Sequence, residues 1–129
     1  AGWKYEDLRP GDHQVNELQM NYLTPDKLAA DSQALVGWIN QNHIKQLAIH
    51  FDLDVLSPQD FRSTHPGKPH LAIDKFPAPV GTMTLDQITR IIHDVSEKAE
   101  IVGFSIGEHL PWDAINLRNA LASVEIFRE

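Results

Sequence analysis

Two short, nearly unbroken apolar runs decide most of what this chain can fold into. The first is Leu47-Ala48-Ile49-His50-Phe51-Asp52-Leu53-Asp54-Val55-Leu56, and the second is Ile101-Val102-Gly103-Phe104-Ser105-Ile106. An apolar run without strict polar alternation is what a parallel strand covered on both faces requires. Between the two runs, Leu85, Ile88, Ile91, Ile92 and Val95 recur at helical spacing, and Thr84 with Gln87 forms a capping-box signature just before them. Upstream, Thr24 can cap a helix that begins at Pro25, where a missing N–H costs nothing. Leu28, Leu35 and Ile39 then share one helical face, which fades near Asn42 and His43. Pro111 opens a last helix, with Ile115, Leu117, Leu121, Val124 and Phe127 as its core candidates.

The order helix, strand, long loop, helix, strand, helix predicts an α/β fold. In its complete form this is a three-layer α-β-α arrangement with a mainly parallel sheet and a right-handed crossover. Residues 1–23 carry no clear pattern and are expected to be an irregular start, with 24–129 as the α/β part of a single domain or of a fragment. Two strands are few for a parallel sheet and leave two edges unpaired. Further strands are therefore expected in an N-terminal part outside these 129 residues, or in another chain. The expectation follows that the chain forms a homo-oligomer or associates with that N-terminal part, with the strand Leu47–Leu53 as the apolar element left uncovered.

Composition narrows the function. A length of 129 residues with 42% apolar content supports one domain with a core. The absence of cysteine excludes disulfides, thiolate metal sites and a cysteine nucleophile. Eighteen acidic against eleven basic side chains, a net charge of −7, argue against a nucleic-acid partner, which needs a basic surface. No apolar run approaches the roughly 20 residues that cross a bilayer, and no signal pattern opens the chain, so no membrane partner and a cytoplasmic location are expected.

In open α/β sheets a site lies beyond the carboxyl ends of the strands. Asp52 and Asp54 fall there, interrupting the far end of the first run, and Glu108 follows the second. On an extended backbone Asp52 and Asp54 point the same way, and two carboxylates so placed repel unless a cation sits between them. Hard or borderline ions such as magnesium and manganese suit such oxygen donors. The other reading is that both aspartates cap the following turn, and that Glu108 bonds the start of the last helix. The histidines show no ligand spacing: His50 is expected in the core, whereas His65 and His70 are expected in solvent. Trp38 and Trp112 are expected to pack. The 24-residue stretch Ser57–Val80 holds five of the eight prolines, and a connection of that length is usually functional or disordered.

Phe51-Asp52-Leu53-Asp54 resembles the D-x-D signature of haloacid-dehalogenase-like phosphatases, in which Asp52 would be the phosphoryl acceptor and Asp54 the acid/base. Val55-Leu56 stands where that group has Gly-Thr. A longer set of motifs resembles the ureohydrolase family of arginase, agmatinase and formiminoglutamase. His50-Phe51-Asp52-Leu53-Asp54-Val55-Leu56-Ser57-Pro58 is similar to its last metal motif, with Ser57 where Asp is usual and His50 where Ser or Ala is usual. Val80-Gly81-Thr82-Met83-Thr84 resembles its Gly-Gly-Leu-Thr, and Ile101–Glu108 resembles its final strand, which ends in a substrate-binding Glu and is followed by a Pro-containing loop, here with Pro111.

The ureohydrolase resemblance covers Leu47 to Glu129 and implies the C-terminal part of an arginase-like fold. It implies a binuclear manganese site in which Asp52 bridges both ions and Asp54 binds one of them. Glu108 would contact the guanidinium or amidine of a small cationic substrate, and a metal-activated hydroxide would attack the amidine carbon. The family's histidine-containing metal motifs, Gly-Gly-Asp-His and Asp-Ala-His-x-Asp, do not occur in this chain. No catalytic residue is therefore assigned, and the isolated chain is expected to be inactive. The loop after Pro58 is longer than is usual in the family, and Arg62 stands where Pro is common. A third possibility is a non-catalytic, arginase-like interaction domain.

Overall fold

A computed structural model describes residues 14–112 and 114–127, apart from the side chains of Val15, Asn16 and Lys75. Of the expected irregular start, residues 1–13 lie outside the described residues. The described elements are the helices α1 (Gln14–Glu17), α2 (Pro25–Ala30) and α3 (Gln33–Gln41), the strand β1 (Gln46–Asp52), α4 (Leu85–Ser96), β2 (Glu100–Gly107) and α5 (Ala114–Leu121). This is a small mixed α/β domain. Among the described residues its sheet has two strands, β1 and β2, paired in parallel and connected through α4.

The single helix expected from Pro25 to about Asn42 is two helices, broken at Asp31 and Ser32. Thr24 occupies the cap position of α2 without a side-chain cap bond. The Asp31 carboxylate accepts the Gln33 N–H at 2.8 Å, a side-chain turn that competes with helix continuation. The closing carbonyls of α2 (Leu28, Ala29 and Ala30) accept hydrogen bonds from the Arg90 guanidinium of α4, so a distant cation satisfies the groups that a continuing helix would have satisfied. The capping box of α4 forms as its sequence predicts: the Gln87 N–H donates to Thr84 Oγ1 at 3.2 Å, and the Thr84 N–H donates to Gln87 Oε1 at 3.0 Å.

The first strand alternates in burial. Leu47, Ile49 and Phe51 are covered, whereas Gln46, Ala48 and His50 are exposed. Phe51 joins Leu53, Leu56, Phe61 and Leu117 in one core cluster, against which Leu85 and Ile88 of α4, Phe104 and Ile106 of β2, and Leu121 of α5 pack. A second cluster unites Ile39, Val95 and Ala99 with Leu35, Trp38, Leu47, Ile49 and Ile91. Helices α3, α4 and α5 therefore lie on one face of the sheet. Each fully covered Leu or Phe contributes roughly 1.5–3 kcal/mol relative to exposure.

This arrangement corrects several expectations. The first strand ends at Asp52, and Leu53–Val55 is a 3-10 turn rather than continued strand. The larger apolar residues of Leu47–Leu53 are covered, Phe51 and Leu53 buried and Leu47 and Ile49 half-buried, and only the small Ala48 among its apolar residues is exposed. Val102, 54% exposed, is instead an uncovered apolar side chain of the sheet. It sits where the register slips between Leu47, paired with Ile101, and Ala48, paired with Gly103. His50 is exposed rather than in the core. The last helix ends at Leu121, so Val124 and Phe127 lie beyond it; Leu117 and Val124 are buried, but Ile115 is 74% exposed and Phe127, in a 3-10 turn, is exposed with its ring edge on Phe104. The helix itself starts at Ala114, after a turn at Pro111 and Trp112. Among the described residues no helix is long and apolar enough to cross a membrane.

Candidate functional site

The turn that carries the two aspartates is fixed by burial on either side of it. Leu53 and Leu56 are fully buried, which draws the chain inward immediately after Asp52. Beyond them, Leu56 forms an isolated parallel bridge with Met83. The Met83 N–H donates to the Val55 carbonyl at 3.1 Å, and the Ser57 N–H donates to the Met83 carbonyl at 2.7 Å. Gly81 lies against this bridge so closely that a Cβ would come within 2.2 Å of the Val55 carbonyl carbon and 2.3 Å of the Asp54 carbonyl oxygen. Only glycine permits that approach.

Asp52 and Asp54 are both half-buried. They do not project side by side from an extended strand. Asp52 is the last residue of β1, and its Oδ1 accepts the Asp54 N–H at 2.9 Å, closing the turn. The capping role therefore holds for one oxygen of Asp52. Asp54 is different: its Oδ1 is buried and has no hydrogen-bond partner. Burial, the charge of Asp52 and the charge of Glu108, in that order, hold the Asp54 carboxyl above its ordinary value, and His65 opposes them.

Glu108 follows β2 directly. Since Asp52 pairs with Gly107, the parallel register brings Glu108 to the same end of the sheet as the aspartates. Glu108 is exposed and adopts φ of 59°, the left-handed region that a residue with a side chain rarely occupies. The three acidic residues singled out in the sequence thus gather at the carboxyl end of the sheet, as the strand topology requires.

Two histidines lie nearby in different ways. His65, exposed on the proline-rich loop, stacks edge-on against Phe76 at 5.3 Å, and its charge favours an ionised Asp54. No sequence spacing marked it. His50 sits on the open sheet face, where its Nδ1 and Ser105 Oγ share a hydrogen bond of 2.9 Å. Trp38 packs in the core as expected, whereas Trp112 is partly exposed and its indole N–H donates to the Thr64 carbonyl at 3.1 Å.

The donor chemistry of Asp52 and Asp54 suits a divalent cation: oxygen ligands, one of them buried without a partner, and mutual repulsion that a cation would relieve. The number of donors does not suffice, because no group of three or more His, Asp or Glu side chains among the described residues is arranged to hold a metal ion. Comparison with protein-family models and with curated proteins yields no match to this chain.

Proposed function

We propose that this chain is the C-terminal part of an arginase-like, metal-dependent hydrolase that cleaves a C–N bond in a small cationic guanidino or amidine compound. The observation that carries the reading is the convergence of Asp52, Asp54 and Glu108 at the ends of two parallel strands, with a buried and unpartnered oxygen on Asp54. An acidic mouth favours a cationic substrate, and a partly buried carboxylate pair favours a divalent ion. The ordered motifs from His50 to Glu108 favour this reading over the phosphatase-like one, which rests on a single tetrapeptide.

In this reading Asp52 and Asp54 supply two of the carboxylates of a binuclear manganese site. Manganese, when bound, supplies Lewis acidity toward water and the amidine. Glu108 holds the guanidinium or amidine group by charge and orients its carbon toward the aspartates. The remaining ligands come from a segment upstream of this chain, since two carboxylates do not fill the coordination of one ion, let alone two. The same segment, or a second copy of the chain, completes the sheet. The finer fold is then three-layered, with the open face of Ala48, His50 and Ser105 covered by the third layer.

The test is an assay of this chain joined to its natural upstream sequence. Manganese-dependent release of urea or ammonia from guanidino or amidine compounds, lost in Asp54→Asn, supports the proposal. Magnesium-dependent hydrolysis of p-nitrophenyl phosphate that requires Asp52 contradicts it in favour of a phosphatase. Absence of every activity in the joined protein contradicts it in favour of a non-catalytic domain.

A further inference from the structure

We infer that Trp112 and the loop segment Phe61–Gly67 are positioning elements that hold Glu108 in its left-handed conformation and tie it to the aspartate turn. A left-handed residue with a side chain is unfavourable and persists only where its surroundings over-determine it. For Glu108 the constraints are visible on both sides. Upstream, Gly107 is locked in β2 opposite Asp52 and lies under the His50 ring, where a Cβ would come within 3.1 Å of His50 Cε1. Downstream, the Leu110 N–H donates to the Ser63 carbonyl at 2.8 Å, and the Trp112 indole N–H donates to the Thr64 carbonyl at 3.1 Å. The Trp112 backbone N–H closes back on the Leu110 carbonyl at 2.9 Å, so both anchors belong to one tight turn.

The residues that supply the acceptors are themselves buried. Ser63 and Thr64 are fully buried, and Phe61 is fully buried in the cluster that contains Phe51, Leu53 and Leu56. The Thr64 carbonyl also receives the Gly67 N–H at 3.0 Å. Gly67 approaches the Arg62 backbone so closely that a Cβ would fall 2.5 Å from its carbonyl oxygen. A rigid path thus runs from the Leu53–Val55 turn through Phe61 and Thr64 to Trp112 and back to Glu108. It gives the proline-rich loop a role: it holds Glu108 in a fixed relation to Asp52 and Asp54. The role of Glu108 toward substrate rests on the hydrolase reading above, whereas the positioning itself does not.

The test uses the 129-residue chain by NMR, with Trp112→Phe as the principal variant, since it keeps the ring and removes the indole N–H. The expected result is loss of the left-handed Cα chemical-shift signature of Glu108. Amide exchange at Leu110 accelerates about tenfold, while exchange at Phe51 and Ile92 in the core is unchanged. Gly67→Ala, which displaces the loop from the opposite side, is expected to produce the same shift at Glu108. Should that variant fail to fold, the indole N–H exchange of Trp112 in the unsubstituted chain replaces it, with strong protection expected. Unchanged Glu108 signals in a folded Trp112→Phe chain, or an indole N–H that exchanges as freely as an exposed one, overturn the inference. Neither readout needs metal or substrate, so a failure here is distinct from a failure of the hydrolase reading.

Discussion

Asp54 is the residue at which stability and function pull in opposite directions. In the folded chain its carboxyl is raised above the ordinary 3.8 by burial and by the Asp52 and Glu108 charges. A raised folded value means that the native state binds the proton more tightly than the unfolded state does. The resulting stabilisation is fully present below pH 3.8 and is lost as pH rises through the folded value. At neutral pH, Asp54→Asn is therefore expected to stabilise the metal-free chain slightly, because solvent screens a half-exposed carboxyl. The gain should shrink on acidification toward pH 3.8; urea denaturation of both chains across pH measures it. A residue kept for its fold alone would lose stability on the same substitution. The sequence marked Asp52 and Asp54 as a pair but not their geometry. Once Asp52 accepts the Asp54 N–H, the strand cannot continue, and that bond is invisible in a D-x-D pattern. His50 was legible as a strand residue but not as an exposed one, because exposure depends on which face the helices cover.

At the scale of elements, local signals were readable and distant ones were not. The Thr84–Gln87 box is a four-residue pattern and formed as read; Thr84→Ala is expected to cost about 1 kcal/mol, seen as a lowered urea midpoint. The break between α2 and α3 depends partly on Arg90, some sixty residues further along the chain, and no window of sequence around Asp31 contains it. Gly81 is the sharpest single constraint on the aspartate turn. Gly81→Ala would place a methyl group inside contact distance of the Val55 and Asp54 backbone, and is expected to destabilise the chain by about 2 kcal/mol or more. Thermal unfolding measures this cost, and a neutral substitution would show that the Leu56–Met83 bridge yields easily. Ile115 followed the helical pattern of α5 yet lies outside the core, since the helix packs through Leu117 and Leu121.

For the molecule as a whole, the parallel pairing of the two apolar runs followed from their composition, while the uncovered sheet face did not. Helices occupy one face, and both strands have an outer edge with backbone groups that the described sheet leaves unpaired. Covering several hundred Å² of exposed apolar surface at roughly 25 cal/mol per Å² favours association before entropy costs. Light scattering at micromolar concentration is expected to find a dimer or larger species; a stable monomer of 14.6 kDa would show that two strands suffice. The most direct test of the central claim is a calorimetric titration of manganese into the 129-residue chain and its Asp54→Asn variant. With two carboxylates as its ligands, the chain is expected to bind weakly, with a dissociation constant on the order of 10⁻⁴ M or higher, and the variant not measurably. Tight binding of two manganese ions per chain, or binding that survives Asp54→Asn unchanged, would contradict a site that these aspartates supply only in part.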